Sequence, residues 1–281
     1  MGFLDRVEKF RMTHRQMAIL TSSLCLISIF VMVPIPMVIG PITLDFYKEI
    51  EKLPPGSVVA WAQNCAFGTY MTKRDAYRAV IYHCFDKKLK TILYSFDPDA
   101  PQLNAAVMVY SNVEKKYGAK YGEDYVIFPF LAGEETAMAA VASDTRVLKT
   151  DLYGNDIEKL PLMKNVRTMK DIALTVNDAG SFTFVEMWIR QWPAKYGNRA
   201  IGTMVFATVA PVYGVYVHGY LDGVRGYAEY EKLTGYLGDH LMKMNARNLQ
   251  GLAVFIAVGL GNISWAIAKY RKREVQVRRL G

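Results

Sequence analysis

Two stretches without a charged residue bracket this chain, and between them short apolar runs alternate with segments of helical period. Met17 to Ile39 is uncharged over 23 positions and Leu249 to Ala268, "LQGLAVFIAVGLGNISWAIA", over 20. Each is long enough as a helix to cross a hydrocarbon core of about 30 Å. The pattern predicts two transmembrane helices, 17–39 and 249–268, with a domain over 43–247 between them.

Inside that domain the strand-length runs are "SVVAWAQ" (57–63), "KTILYSF" (90–96), "DYVIFPF" (124–130), "DIALTVN" (171–177) and "AIGTMVFA" (200–207). They are apolar almost throughout, as strands covered on both faces are. Helical period occupies 72–88, 100–118, 134–144 and 181–197, the last interrupted at Pro193. Strand followed by helix, repeated, predicts an α/β fold: a doubly wound, mainly parallel, Rossmann-like sheet with right-handed crossovers. Segment 145–169 breaks the rhythm and reads either as an excursion over one sheet edge or as a packing surface for a partner. The Tyr- and Gly-rich stretch after 207 reads as a final helix pair against the sheet. An aromatic platform at the membrane interface is the alternative.

Charge changes the picture only at the ends. The chain of 281 residues carries +8, of which residues 1–16 hold +2, residues 269–281 hold +5 and the remainder +1. With the flanks removed no basic face remains, which argues against a nucleic-acid partner. Basic clusters beside both apolar stretches instead predict that both termini are cytoplasmic and the central domain extracytoplasmic, in a cell membrane. The first apolar run is longer than a signal-peptide core and ends in "VPIPMVIGPITLDF", a poor cleavage site. It therefore reads as a retained anchor. Before it, 1–16 reads as a basic amphipathic segment lying on an anionic surface or as a frayed tail.

Of the cysteines, Cys25 falls inside the first apolar run. Cys65 and Cys84 are separated by a strand end and several helical turns, too far for a disulfide, so both are expected free and buried. The phosphate loop, the H-E-x-x-H pair, the C-x-x-C pair and the nucleophile elbow do not occur in the sequence. His83 beside Cys84 is a poor dyad, because adjacent helical residues point about 100° apart.

The segments "GEETAMAAVASD", "DLYGNDIEKLPLMKNV", "DIALTVNDAG" and "GYLDGVRGYAEYEKL" resemble an uncharacterised group of prokaryotic membrane-anchored α/β proteins, over most of residues 55–235. The resemblance implies a single α/β unit between the anchors and carries no reaction and no catalytic residues.

Candidate chemistry belongs just beyond the strands, where doubly wound sheets bind ligands. Asp97, Asp99, Glu134, Glu135, Asp178, Ser181 and Thr208 occupy those positions and are candidates for one acidic rim, suited to an amine or a cation. Helix capping competes for Asp99, Glu134, Glu135, Asp178 and Ser181. No spacing calls for a metal or a cofactor, and no residue is singled out as catalytic. In the second apolar stretch Ala253, Ala257 and Gly261 recur every four residues as a small-residue strip for helix association, with the first span or with another subunit. These features favour a noncatalytic subunit or scaffold of a membrane protein complex, partnered by lipid and by other subunits in a homo- or hetero-oligomer. The alternative is an extracytoplasmic sensor domain for a small solute; a hydrolase or transferase using the acidic rim comes third.

Overall fold

Five apolar runs do form strands, and a sixth joins them. A computed structural model describes residues 13–30, 37–204 and 214–280 of the chain. In chain order the elements are α1 (His14–Phe30), α2 (Pro41–Glu51), β1 (Val58–Asn64), α3 (Phe67–Asp86), β2 (Lys90–Ser95), α4 (Ala100–Ser111), α5 (Val113–Tyr117), β3 (Tyr125–Phe130) and α6 (Glu134–Ser143). They continue with β4 (Leu174–Ala179), α7 (Phe182–Gln191), α8 (Pro193–Tyr196), β5 (Arg199–Met204), β6 (Tyr220–Asp222), α9 (Gly223–Thr234) and α10 (His240–Leu280). The chain divides into two units, residues 37–241 and residues 1–36 with 242–281.

The larger unit is built on a six-stranded sheet in the order β3-β2-β1-β4-β5-β6, every neighbouring pair parallel. Alternation along each strand sends side chains to two separate apolar layers. Ala60, Ala62, Tyr94, Val126 and Phe128 pack with Met138 and Val141 of α6 and with Trp188 of α7. Val59, Trp61, Leu93, Ile127 and Val176 pack on the other face with Val80 and Ile81 of α3, Val107 of α4, and Tyr227 and Tyr230 of α9. Helices therefore cover both faces, which is why the strands read as unbroken apolar runs.

Several boundaries differ from the sequence reading. Helix α3 begins at Phe67, five residues earlier than its period suggests, and the run 100–118 breaks at Asn112, which takes a left-handed conformation at φ +50°. Segment 145–171 is a chain of short 3-10 turns, Thr145–Val147, Ile157–Lys159, Pro161–Asn165 and Met169–Asp171. It lies over the β3 edge, where Leu152 N donates to Ile127 O at 2.9 Å, and its turns are tied together by buried Arg146, which donates to Met163 O at 2.7 Å. That contact occupies backbone an edge strand otherwise leaves unpaired. The segment after 207 supplies the short strand β6 and one helix, α9, before α10 begins; the reading as a helix pair omitted the strand. Residues 205–207 of the expected fifth strand lie outside the described residues.

In helix α10 the segment His240–Tyr270 is 31 residues long and includes an 18-residue stretch, little buried, of mean hydropathy 1.8. At 1.5 Å per residue it extends about 46 Å, enough to cross a membrane. Among the described residues it alone is both long and apolar enough. The first apolar stretch forms α1 over 17 residues, and its continuation, 31–36, lies outside the described residues. Leu20 and Leu24 of α1 line an apolar groove with Leu249, Leu252, Ala253, Ile256, Ala257 and Leu260. Ala253 and Ala257 of the small-residue strip thus face α1, whereas Gly261 is exposed and an added Cβ there meets nothing within 4 Å.

Candidate functional site: a polar layer at the strand ends

In this strand order β1 and β4 are neighbours whose following helices, α3 and α7, leave toward opposite faces. In doubly wound sheets such a divergence marks the crevice, beyond the carboxyl ends of the two strands, where ligands bind. Register places Ser95 of β2, Gln63 of β1, Asp178 of β4 and Thr203 of β5 side by side across the sheet. All four are buried. They share the face that α3 covers, because Trp61 and Val176, two residues earlier on β1 and β4, pack there.

The two halves of this layer differ. On the β2 side the hydrogen bonds close: Tyr77 OH donates to Asn104 Oδ1 at 3.0 Å, Asn104 Nδ2 to Ser95 Oγ at 3.1 Å, and Ser95 Oγ to Phe128 O at 3.0 Å. On the β4 side, Lys73 of α3 is 1% exposed and ion-pairs with Asp178 Oδ1, which also accepts from Thr203 Oγ1 at 2.6 Å. Asp178 Oδ2 has no partner. Neither amide atom of Gln63 has one, nor does either amide atom of Asn177, on the opposite face of β4. More than about nine in ten buried polar groups in proteins are paired. Single unpaired atoms also occur elsewhere in this domain, among them Trp61 Nε1, Thr91 Oγ1, Tyr94 OH, Ser111 Oγ, Trp188 Nε1 and Asn198 Oδ1. Two whole carboxamides and a carboxylate oxygen within the last three residues of β1 and β4 are a concentration of unused hydrogen-bonding capacity.

The loops above this layer do not suit a phosphate. The first turn of α3 is where a dinucleotide's pyrophosphate binds in such sheets. Here Phe67 N donates to Asp99 Oδ2 at 3.2 Å, so a carboxylate from the loop after β2 already occupies the helix end. The same loop is folded by Asp99 N donating to Asp97 Oδ1 at 2.9 Å. Cys65, at the end of β1, is buried; desolvation, reinforced by the negative charge of Asp178, pushes its thiol up to about 12. Burial does the same to Cys84, also to about 12. Both thiols are free. A thiol with so high a pKa is almost wholly protonated at neutral pH and is a poor nucleophile. Alkylation of the native protein at pH 8 is therefore expected to leave Cys65 and Cys84 unmodified, and peptide mapping after denaturation should find both newly reactive. Native labelling of either would contradict the burial.

Of the remaining rim candidates, Asp99, Glu135 and Ser181 have separate partners. Asp99 stands at the start of α4 but caps α3 instead, since Pro101 in the first turn of α4 removes a donor. Glu134 is exposed at φ +45°. Glu135 is held by two bonds from Arg190, 2.9 and 2.8 Å, and one from Gln191, which pull its carboxyl down to about 2. Ser181 caps α7, accepting from Phe184 N at 3.3 Å. Thr208 lies outside the described residues. Among the described members of the set, Asp178 alone joins the buried layer. His83 lies between Tyr230 OH and Glu51 Oε1 at 2.6 and 2.9 Å, where burial lowers its pKa against the pull of Glu51. It bonds neither cysteine.

Lys73, Gln63 and Asn177 are the site residues that sequence reasoning missed, yet each left a signal. Tyr70, Lys73, Tyr77, Val80 and Cys84 fall on one helical stripe, so Lys73 is a cation in an otherwise uncharged face. Gln63 is an amide near the end of β1, whose preceding positions are apolar, and Asn177 an amide beside Asp178 in the second half of β4.

No family model matches the chain, and no curated protein or solved structure matches it either. The fold and the site stand on their own geometry.

Proposed function

We propose that this chain is a membrane-anchored binding protein whose α/β domain holds a small polar solute in the crevice between β1 and β4. The observation that carries this reading is the set of unpaired buried groups at the ends of β1 and β4: the Gln63 carboxamide and Asp178 Oδ2 side by side on the face that α3 covers, with the Asn177 carboxamide on the other face. A solute offering an amine or amide N–H suits it best, because Asp178 Oδ2 only accepts and Asp97 and Asp99 add negative charge at the adjoining loop. Binding rather than chemistry fits the local groups, since the Lys73 ammonium is tied to Asp178 and the Cys65 thiol is held protonated. The apolar helix α10 and the uncharged run at 17–39 supply two anchors, the basic flanks keep both termini cytoplasmic, and the domain faces outward as a receptor.

A thermal-melting screen of the full chain in detergent, against amino acids, polyamines, amides, carboxylates and sugars, tests the reading. A solute at a hundred times its Kd stabilises by about 2.7 kcal/mol, a rise of roughly 5–10 °C for a domain of this size. An amine or amide should produce it. If no compound does, or if carboxylates alone do, the solute reading fails.

A second reading, a subunit or scaffold of a membrane complex, is favoured by the exposed Gly261 end of the small-residue strip, which α1 leaves open to another helix. Native mass in several mild detergents decides it: a complex supports the reading, and a lone monomer throughout removes it.

A further inference from the structure

The turn between α9 and α10 brings two wholly buried ionisable side chains together, far along the chain from the residues of the polar layer. Glu231 and His240 are each 0% exposed. His240 Nδ1 lies 2.5 Å from Glu231 Oε1, and its Nε2 lies 2.8 Å from Thr72 O. A carbonyl oxygen only accepts, so Nε2 carries the hydrogen and Nδ1 is the atom turned to the acids. Asp239 Oδ1 stands 3.4 Å from that same Nδ1. One ligand atom from each of the three residues lies within 4.8 Å of the others.

We propose that His240 Nδ1, Glu231 and Asp239 form a binding site for a divalent first-row transition metal ion, zinc being the reference case. The non-ligating atoms are already held, as they are around metal centres. Thr72 O fixes the imidazole, Leu241 N donates to Glu231 Oε2 at 3.4 Å, and Asp239 N donates to Asp75 Oδ2 at 3.4 Å. Tetrahedral coordination with zinc–nitrogen and zinc–oxygen bonds of about 2.0–2.2 Å puts neighbouring ligand atoms about 3.4 Å apart. The Asp239–His240 edge already has that length. The Glu231–His240 edge must open by about 0.9 Å to reach it.

Charge points the same way. A carboxylate without solvent exposure needs a compensating cation. A divalent metal ion supplies two positive charges and balances both carboxylates. The positive end of α10 works against a cation here, and the two acids offset it. One imidazole with two carboxylates favours zinc, nickel or copper over calcium and magnesium, which prefer oxygen throughout. Asp239 is 41% exposed, which leaves an entry path and a coordination position for water. Gly238 makes the convergence possible, since a Cβ there would lie 2.5 Å from Glu231 Oε1 and 2.6 Å from Asp75 Cβ.

The test is cobalt(II) titration of the chelator-stripped full chain in detergent, followed by absorbance and by zinc competition. One ion per chain is expected. Asp239→Asn, altered at a partly exposed side chain, should weaken uptake at least about 10-fold. Glu231→Gln should do the same; if it does not fold, Asp239→Asn carries the test alone. Absence of saturable uptake by the unaltered chain, equal uptake by Asp239→Asn, or preference for magnesium over zinc would each overturn the proposal.

Discussion

Asp178→Ala is expected to destabilise the α/β unit by about 3–5 kcal/mol, because it leaves the Lys73 ammonium, 1% exposed, without its counter-charge. That is a large part of the ~5–15 kcal/mol that holds a typical domain together. The variant should melt far below the unaltered chain, or fail to fold. Lys73→Ala should cost a similar amount by leaving the carboxylate alone. Replacing both partners by apolar residues of similar size, Lys73→Met with Asp178→Leu, should recover most of the loss, since burying a charge pair repays little over apolar packing. A double-mutant cycle on the melting free energies measures this directly. Single substitutions that each cost less than about 1 kcal/mol, the value of an exposed pair, would show that water reaches the site.

A comparable loss is expected from Gly219→Ala, for a steric reason. Gly219 precedes β6 and passes against the backbone of α2; a Cβ there would fall on Phe46 N and Cα and lie 2.8 Å from the Asp45 carbonyl carbon. Backbone cannot yield as a side-chain tip does, so α2 or β6 must move. The register Gly202↔Tyr220 follows directly and would be disturbed with it. Overpacking commonly costs about 1–3 kcal/mol and more when backbone is displaced. Hydrogen exchange should locate the loss at β6 and α2, with β1 to β3 protected. Gly56→Ala makes the comparison: its φ is +83° but its Cβ meets nothing within 4 Å, so only conformational strain is at stake, about 1 kcal/mol. Equal effects of the two changes would contradict the steric account.

The strands were legible because burial on both faces writes itself as continuous apolar sequence, as in "SVVAWAQ" and "KTILYSF". Other features were not, because their causes lie far away in the chain. Helix α3 starts at Phe67 with a carboxylate cap from Asp99, 32 residues on, so no local capping signal marks its start. Strand β6 has three residues in a Tyr- and Gly-rich stretch and is specified by its neighbour β5. Strand order was invisible for the same reason. Reading the strand ends found Asp178, but it gathered into one rim acids that the structure gives to separate local tasks: a cap by Asp99, an ion pair by Glu135. The more informative clue was a mismatch of residue and surroundings, Lys73 on an uncharged stripe and Gln63 near the end of an apolar strand.

The central claim is that Gln63 keeps its hydrogen-bonding groups for a solute rather than for the fold. It is tested most directly by the melting of Gln63→Leu in the full chain without added solute. A buried amide left unpaired costs about 1–3 kcal/mol, so its removal in favour of an apolar side chain of similar size should stabilise the protein by about 1 kcal/mol or more while abolishing any solute-induced rise. A Gln63→Leu protein that melts lower than the unaltered chain, and still shows the full solute-induced rise, would contradict the account.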